Sequence, residues 1–402
     1  MKTFYKPLAL VALLSIGLTS CNKDKNEEST PDANEFKFVR VLVNDETGKQ
    51  LSLLTPNTGA VESFEASFAK TTLYTTESGR YAAILSSANN SVQTFDSGLE
   101  SHGDHIDVKG TAKFGALTGS SLKPTHFKSQ GGEIITFNDG EGTLSIASES
   151  DVHTSGKKLE TIKPSGAIAH HGAMARFTNG TYAITVKNPQ GTATLPERVK
   201  IISRSGQDVH ASTVETKGIH GNASNGTVAV FGSQSGVLVV NSTGTQRLIP
   251  HPEAFGTAWL SSILEAKGVQ KFVGYSAAKG AYEIDLNGNT LKAIIESTDI
   301  LQCKVDYAGN NLVVLLHDGT LKVFDLANGS VKKEGKAISA VAKEDTQKPV
   351  LAATAAFAYI TQPKSGEVIQ VNLNTFATKK IKVSSTPYQL TILGYESNED
   401  HN

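Results

Sequence analysis

Residues 133–147 read EIITFNDGEGTLSIA. Glu133 to Phe137 and Thr143 to Ala147 are short runs of the kind that pack in a sheet. Asn138-Asp139-Gly140 between them supplies residues that accept positive φ, as a tight hairpin turn requires. The stretch reads as a β-hairpin, and the same unit recurs along the chain: Tyr81 to Leu85 with Val92 to Phe95, Tyr182 to Val186 with Val199 to Ser203, and Val228 to Phe231 with Val237 to Val240. It continues as Phe272 to Tyr275 with Ala281 to Leu286, Leu312 to Leu316 with Leu321 to Leu326, and Ala358 to Thr361 with Val368 to Leu373. Turn chemistry recurs with it, in Ala88-Asn89-Asn90, Ser233-Gln234-Ser235-Gly236, His317-Asp318-Gly319 and Lys364-Ser365-Gly366. Counted between first strands, the period stays between about 40 and 53 residues, the length of a four-stranded propeller blade.

An eighth pair, Phe38 to Val43 with Gln50 to Leu54, opens the series without the preceding strand that the other units have. Pro387 to Tyr395 (PYQLTILGY) is a strand with no hairpin after it. The two ends are complementary, so the expected fold is all-β: a single closed β-propeller of eight four-stranded blades over residues 36–396, in which the N- and C-terminal strands share one blade. Closure removes the unpaired edge that an open sheet presents to other chains. Seven blades is the alternative, if one hairpin is an insertion within another blade. No segment carries a convincing amphipathic helical period.

Composition agrees with a repetitive β protein: 36 glycines against two methionines and one tryptophan in 402 residues. Lys+Arg 38 against Asp+Glu 39 leaves a net charge of -1, which gives no basic footprint for nucleic acid and no polybasic membrane patch. The first residues belong to targeting. Lys2 and Lys6 precede an apolar run, Leu8 to Leu18, that is too short to span a bilayer and suits a signal peptide over residues 1–20. Leu18-Thr19-Ser20-Cys21 resembles the lipobox of bacterial lipoproteins, which makes Cys21 the expected lipidation site and the periplasm or cell surface the expected location, on a bacterial membrane. Residues 21–35 are polar and charged, and read as a flexible tether; residues 397–402 are a tail. With Cys21 lipidated, Cys303 is the one thiol left, no intrachain disulfide can form, and Cys303 in ILQCKVDYA reads as a buried small hydrophobe.

A propeller does not specify a function, so the polar residues must. Six of the eleven histidines sit in short phrases: His102 and His105 in Ser101-His102-Gly103-Asp104-His105, His126 in Lys123-Pro124-Thr125-His126-Phe127, His170 and His171 in Ala169-His170-His171-Gly172, and His220 in Gly218-Ile219-His220-Gly221. His126, His171 and His220 come shortly before the first strand of three successive pairs. The segment that precedes each pair is the innermost strand of its blade, so three neighbouring blades point imidazoles at one sector of the channel mouth. Neutral imidazole suits Zn²⁺, for which three or four N/O ligands at roughly 2.0–2.2 Å are usual. Asp104 is a further candidate, as a ligand or as the acceptor that orients a histidine. The expected metal residues are therefore His102, Asp104, His105, His126, His170, His171 and His220, with zinc as the ion. His153, His210, His251, His317 and His401 read as structural. Strand parity puts the His102 phrase on the opposite face from the entrance of the strand that carries His126, although Ser97 to Thr125 is long enough to bring it round; otherwise there are two sites.

These phrases, together with Phe95-Asp96-Ser97-Gly98 and Phe137-Asn138-Asp139-Gly140-Glu141-Gly142, resemble AztD-type zinc metallochaperones in order and spacing, most strongly from Ser91 to Val240. The resemblance implies a periplasmic propeller that binds zinc and hands it to the solute-binding protein of a zinc-importing ABC transporter. This chain departs from the pattern in two places. Residues 22–35 hold no histidine where members often carry a His-rich segment, and Phe231-Gly232-Ser233-Gln234-Ser235-Gly236 stands where they tend to carry cysteines. A zinc-dependent hydrolase is the rival reading, with Glu100 or Asp107 as the base beside a metal-bound water. A surface scaffold or adhesion propeller is the third, and the histidine cluster argues against it.

Overall fold

The computed structural model describes residues 1–2, 36–102 and 106–396. Among these, strands form eight four-stranded sheets and one two-stranded hairpin, and helix is confined to three 3-10 turns. Each sheet is an up-and-down meander. Blade 3, for example, runs Pro124–Gln130, Glu133–Asn138, Thr143–Ser148 and Glu160–Ile162. Blade 4 is Met174–Arg176, Tyr182–Val186, Arg198–Ile202 and Asp208–His210, and blade 5 begins with Ile219–Ser224 and Val228–Ser233. The paired runs read from the sequence are the second and third strands of the blades. The first strands of successive blades touch one another around the ring, so they line the central channel.

Alternation explains why the middle strands are apolar throughout. Successive side chains of a strand face opposite ways. In blade 3, Ile134 packs with Ala83, Leu85 and Val92 of the preceding blade, while Ile135 and Phe137 pack with Met174, Tyr182 and Ile184 of blade 4. Both faces are covered, so the core is a series of seams between blades rather than one central cluster. Burial of each such side chain contributes roughly 2 kcal/mol, spread around the ring. Cys303 is buried in one of these seams and burial pushes its thiol up to about 12, so it behaves as the apolar filler expected of it.

The ring closes as the chain ends suggest. Pro387–Gly394 pairs antiparallel with Val39–Asp45, from Val39 opposite Gly394 to Asp45 opposite Pro387, and forms the channel strand of blade 1. Asp45 fastens the joint: its carboxylate accepts the Thr386 amide at 2.6 Å and the Ser385 hydroxyl at 3.1 Å. Burial opposes its charge, but the Thr386, Gly48 and Thr47 amides outweigh burial and hold the carboxyl down to about 2. The count is eight blades, not seven. Cys21 and residues 3–35, Asp104, His105 and residues 397–402 lie outside the described residues.

Candidate metal centre

His126, His171 and His220 meet. Their ring centroids are 4.7 Å apart for His126–His171, 5.1 Å for His171–His220 and 6.1 Å for His126–His220. All three stand at the face of the ring where the channel strands begin. His126 is the third residue of its strand and sits in a register shift: Pro124 faces Asn138 and His126 faces Phe137, so one residue is extra. His220 occupies a similar irregularity between Ile219 and Asn222. Such bulges re-aim side chains at a sheet rim. The bulge belongs to the fold, since blade 7 has one between Ile300 and Gln302 with Leu301 in it and no histidine. The glycines after two of the imidazoles are required by close approach. A Cβ at Gly172 would meet the Phe137 ring at 2.3 Å, and one at Gly221, where φ is +74°, would meet the Ser261 carbonyl at 2.4 Å.

Hydrogen bonds fix which nitrogens face the centre. His171 Nδ1 lies 2.7 Å from Asp139 Oδ2, and His220 Nδ1 donates to the Ser261 carbonyl at 2.8 Å. Anchoring a histidine by Nδ1 leaves Nε2 as the ligand atom, the arrangement metal sites use. Asp139 was not among the residues singled out for the metal, although it lies in the quoted Asn138-Asp139-Gly140 turn. A turn residue carries no sequence mark that it will reach a histidine 32 positions away. His126 Nε2 is 3.2 Å from His171 Nε2, and two nitrogens on one tetrahedral zinc stand roughly 3.3 Å apart.

Electrostatics divide the pair. Burial, with His171 adding to it, pushes His126 down to about 4, so it is neutral at physiological pH. The Asp139 hydrogen bond raises His171 above its ordinary value, against the effect of burial. Beside them a cavity of about 660 Å³ opens to solvent between Asn90, Lys123, Asp139 and His171.

Of the other candidates, the described His170 and His102 lie apart. His170 is buried, its Nδ1 on the Ile168 carbonyl at 2.8 Å and its Nε2 on Thr185 Oγ1 at 3.2 Å, so both ring nitrogens are engaged in holding the loop. His102 stands at the turn of the hairpin Leu99–Ser101 and Ile106–Val108. That hairpin follows Asp96, which pairs with Tyr81 just beyond the end of a channel strand, and Leu99 packs on Phe38, so it sits on the face opposite the three histidines. There His102 Nε2 is 3.3 Å from Glu100 and 3.4 Å from Asp107, and Lys109 and Arg80 also pair with these carboxylates. The length of Ser97 to Thr125 is spent on the hairpin and on Lys113–Gly119, not on returning to the first face. Glu100 and Asp107 are thus remote from the three imidazoles.

Over 331 residues, 79% of this chain and 77% of the other, the sequence is 24% identical to the zinc chaperone AztD of Citrobacter koseri. This chain is similar to AztD. Two solved structures of AztD from that organism, one of them apo, match it with a TM-score of 0.80 at 21% identity, covering 89% of this chain and 98% of theirs. AztD therefore shares the eight-bladed fold. AztD is by name a zinc chaperone. The dihydro-heme d1 dehydrogenase NirN shares the fold more distantly, with a TM-score of 0.60 at 12% identity over 88% of this chain and 74% of its own. No protein-family model matches the chain.

Proposed function

We propose that this protein is a zinc-binding propeller of the bacterial cell envelope that carries zinc as cargo on His126, His171 and His220. The observation that carries the reading is the convergence of three imidazoles from three consecutive blades, two of them anchored through Nδ1. Among the described residues no three His, Cys, Asp or Glu side chains, these imidazoles included, already stand close enough together to hold an ion, so the three rings must draw together on binding. The wide edge is His126–His220, 6.1 Å between ring centroids, and the reading requires it to shorten when the ion is bound. A water, or a group from a partner, takes the fourth position.

We assign the cargo to delivery rather than storage: zinc passes to the solute-binding protein of a zinc ABC importer, and the chaperone name of the similar protein supports this. Removal of residues 1–20, lipidation of Cys21 and a tether over residues 21–35 place the propeller near membrane partners and raise its local concentration there. We assign His102, on the opposite face, to a second zinc-binding segment together with Asp104 and His105, which lie outside the described residues. Transfer is tested by loading the protein with zinc, adding a periplasmic zinc-binding protein from the same genome with a competing chelator, and following acceptor metallation. Metallation faster than free exchange is expected. Metallation at the free-exchange rate reduces the function to zinc storage.

A further inference from the structure

The strands that carry His126, His171 and His220 are tied together a second time, one layer deeper in the channel. Lys128 lies two residues beyond His126 and so on the same side of its strand. Its ammonium donates to the Asn222 carbonyl of blade 5 at 2.7 Å, and the Asn222 side-chain amide donates to the Met174 carbonyl of blade 4 at 2.7 Å. The link thus crosses the same three blades as the imidazoles, with Asn222 two residues past His220 and Met174 three past His171. Below it, Lys128 lines a cavity of about 460 Å³ with Glu77, Arg176, Glu265 and Lys267. Three cations face two carboxylates there, with Arg176 paired to Glu133 at 2.7 Å, and burial lowers the Lys128 ammonium only to about 8, so it keeps its charge at neutral pH.

A neutral donor would satisfy the Asn222 carbonyl equally well. A cation at this position works against a dication seated on the histidines. We propose that Lys128 is a positioning residue that sets how tightly zinc is held: its ammonium, fixed beneath the three imidazoles, repels the ion and keeps it exchangeable. The proposal rests on the reading of the three histidines as the zinc site. Repulsion between a unit charge and a dication several ångströms apart in partly screened surroundings corresponds to about tenfold or more in affinity.

The experiment is a zinc titration of the full chain against a competing chelator, with the release rate read from the same chelator. Lys128→Met is expected to bind zinc about tenfold more tightly and to release it correspondingly more slowly, and Lys128→Arg, which restores the charge, to return toward wild type. A purely structural tie predicts the opposite sign, because untying the strands spreads the histidines. Melting of the metal-free proteins checks the fold, and Lys128→Gln replaces the Met variant if that one does not fold. Equal or weaker binding by a folded neutral variant overturns the proposal and leaves the histidine site standing. A wild-type protein that binds no zinc overturns the site itself, and Lys128 with it.

Discussion

His126 Nε2 and His171 Nε2 lie 3.2 Å apart across the seam between blades 3 and 4. With His171 Nδ1 committed to Asp139, a single proton shared by the two Nε2 atoms holds the metal-free pair, and an ion that takes its place satisfies both nitrogens. Alanine at His126, His171 or His220 is therefore expected to weaken zinc binding steeply, and the triple variant to abolish it at the centre. Calorimetry decides the point, and unchanged affinity in the triple variant would falsify the site.

Asp139 separates orientation from ligation. Asp139→Asn keeps the shape of the turn and removes the charge beside His171, so zinc affinity is expected to fall by about 10–100-fold with little change in melting temperature. An affinity within twofold of wild type would show that His171 needs no anchor.

The pH dependence of binding follows from His171 more than from His126. His171 titrates above its ordinary value of about 6.5, so protons compete for it first, and zinc affinity declines as pH falls through that raised pKa. His126, held to about 4, adds competition only at much lower pH. Asp139→Asn removes the main cause of the raised pKa, so the decline is expected at lower pH in that variant. A decline at the same pH in both proteins assigns it elsewhere.

Stability of the metal-free protein has a contribution of the other sign. His126 binds its proton at about 4 when folded and near 6.5 when unfolded, so the unfolded state is favoured increasingly as pH drops between those values. The loss at pH 4 amounts to about 3 kcal/mol, while His171, with its raised pKa, opposes it. Denaturant melts of wild type and His126→Gln across this range are expected to converge toward acid, and parallel curves would exclude His126 as the cause.

Closure is tested at the chain end. Deleting residues 386–402 removes the channel strand of blade 1 together with the Thr386 amide that Asp45 accepts, and exposes the edge of Val39–Asp45. Loss of cooperative unfolding is expected. The milder Asp45→Ala leaves the strand paired but orphans partly buried amides, at a cost of about 1 kcal/mol.

The blade count and the joining of the two ends were legible in the sequence because each rests on local information. Hairpin turns declare themselves by Gly and Asn, period-2 strands by their apolar runs, and an unpaired strand at each end calls for a partner. The histidines at the heads of three channel strands were legible for the same reason, since the repeat assigns them equivalent positions. What the sequence left open depended on how the strands are aimed and what reaches across the seams. His170 and His171 are adjacent residues, yet one ring turns into the loop to meet Ile168 and Thr185 and the other toward the centre, because neighbours on a chain point opposite ways and packing against Phe137 chooses which goes in. The face reached by the His102 phrase was settled by the hairpin that consumes its long connection. Asp139, Ser261 and Lys128 enter the site through contacts 32, 41 and 94 positions apart in the chain, a distance over which spacing carries no signal and only the closed ring brings them together.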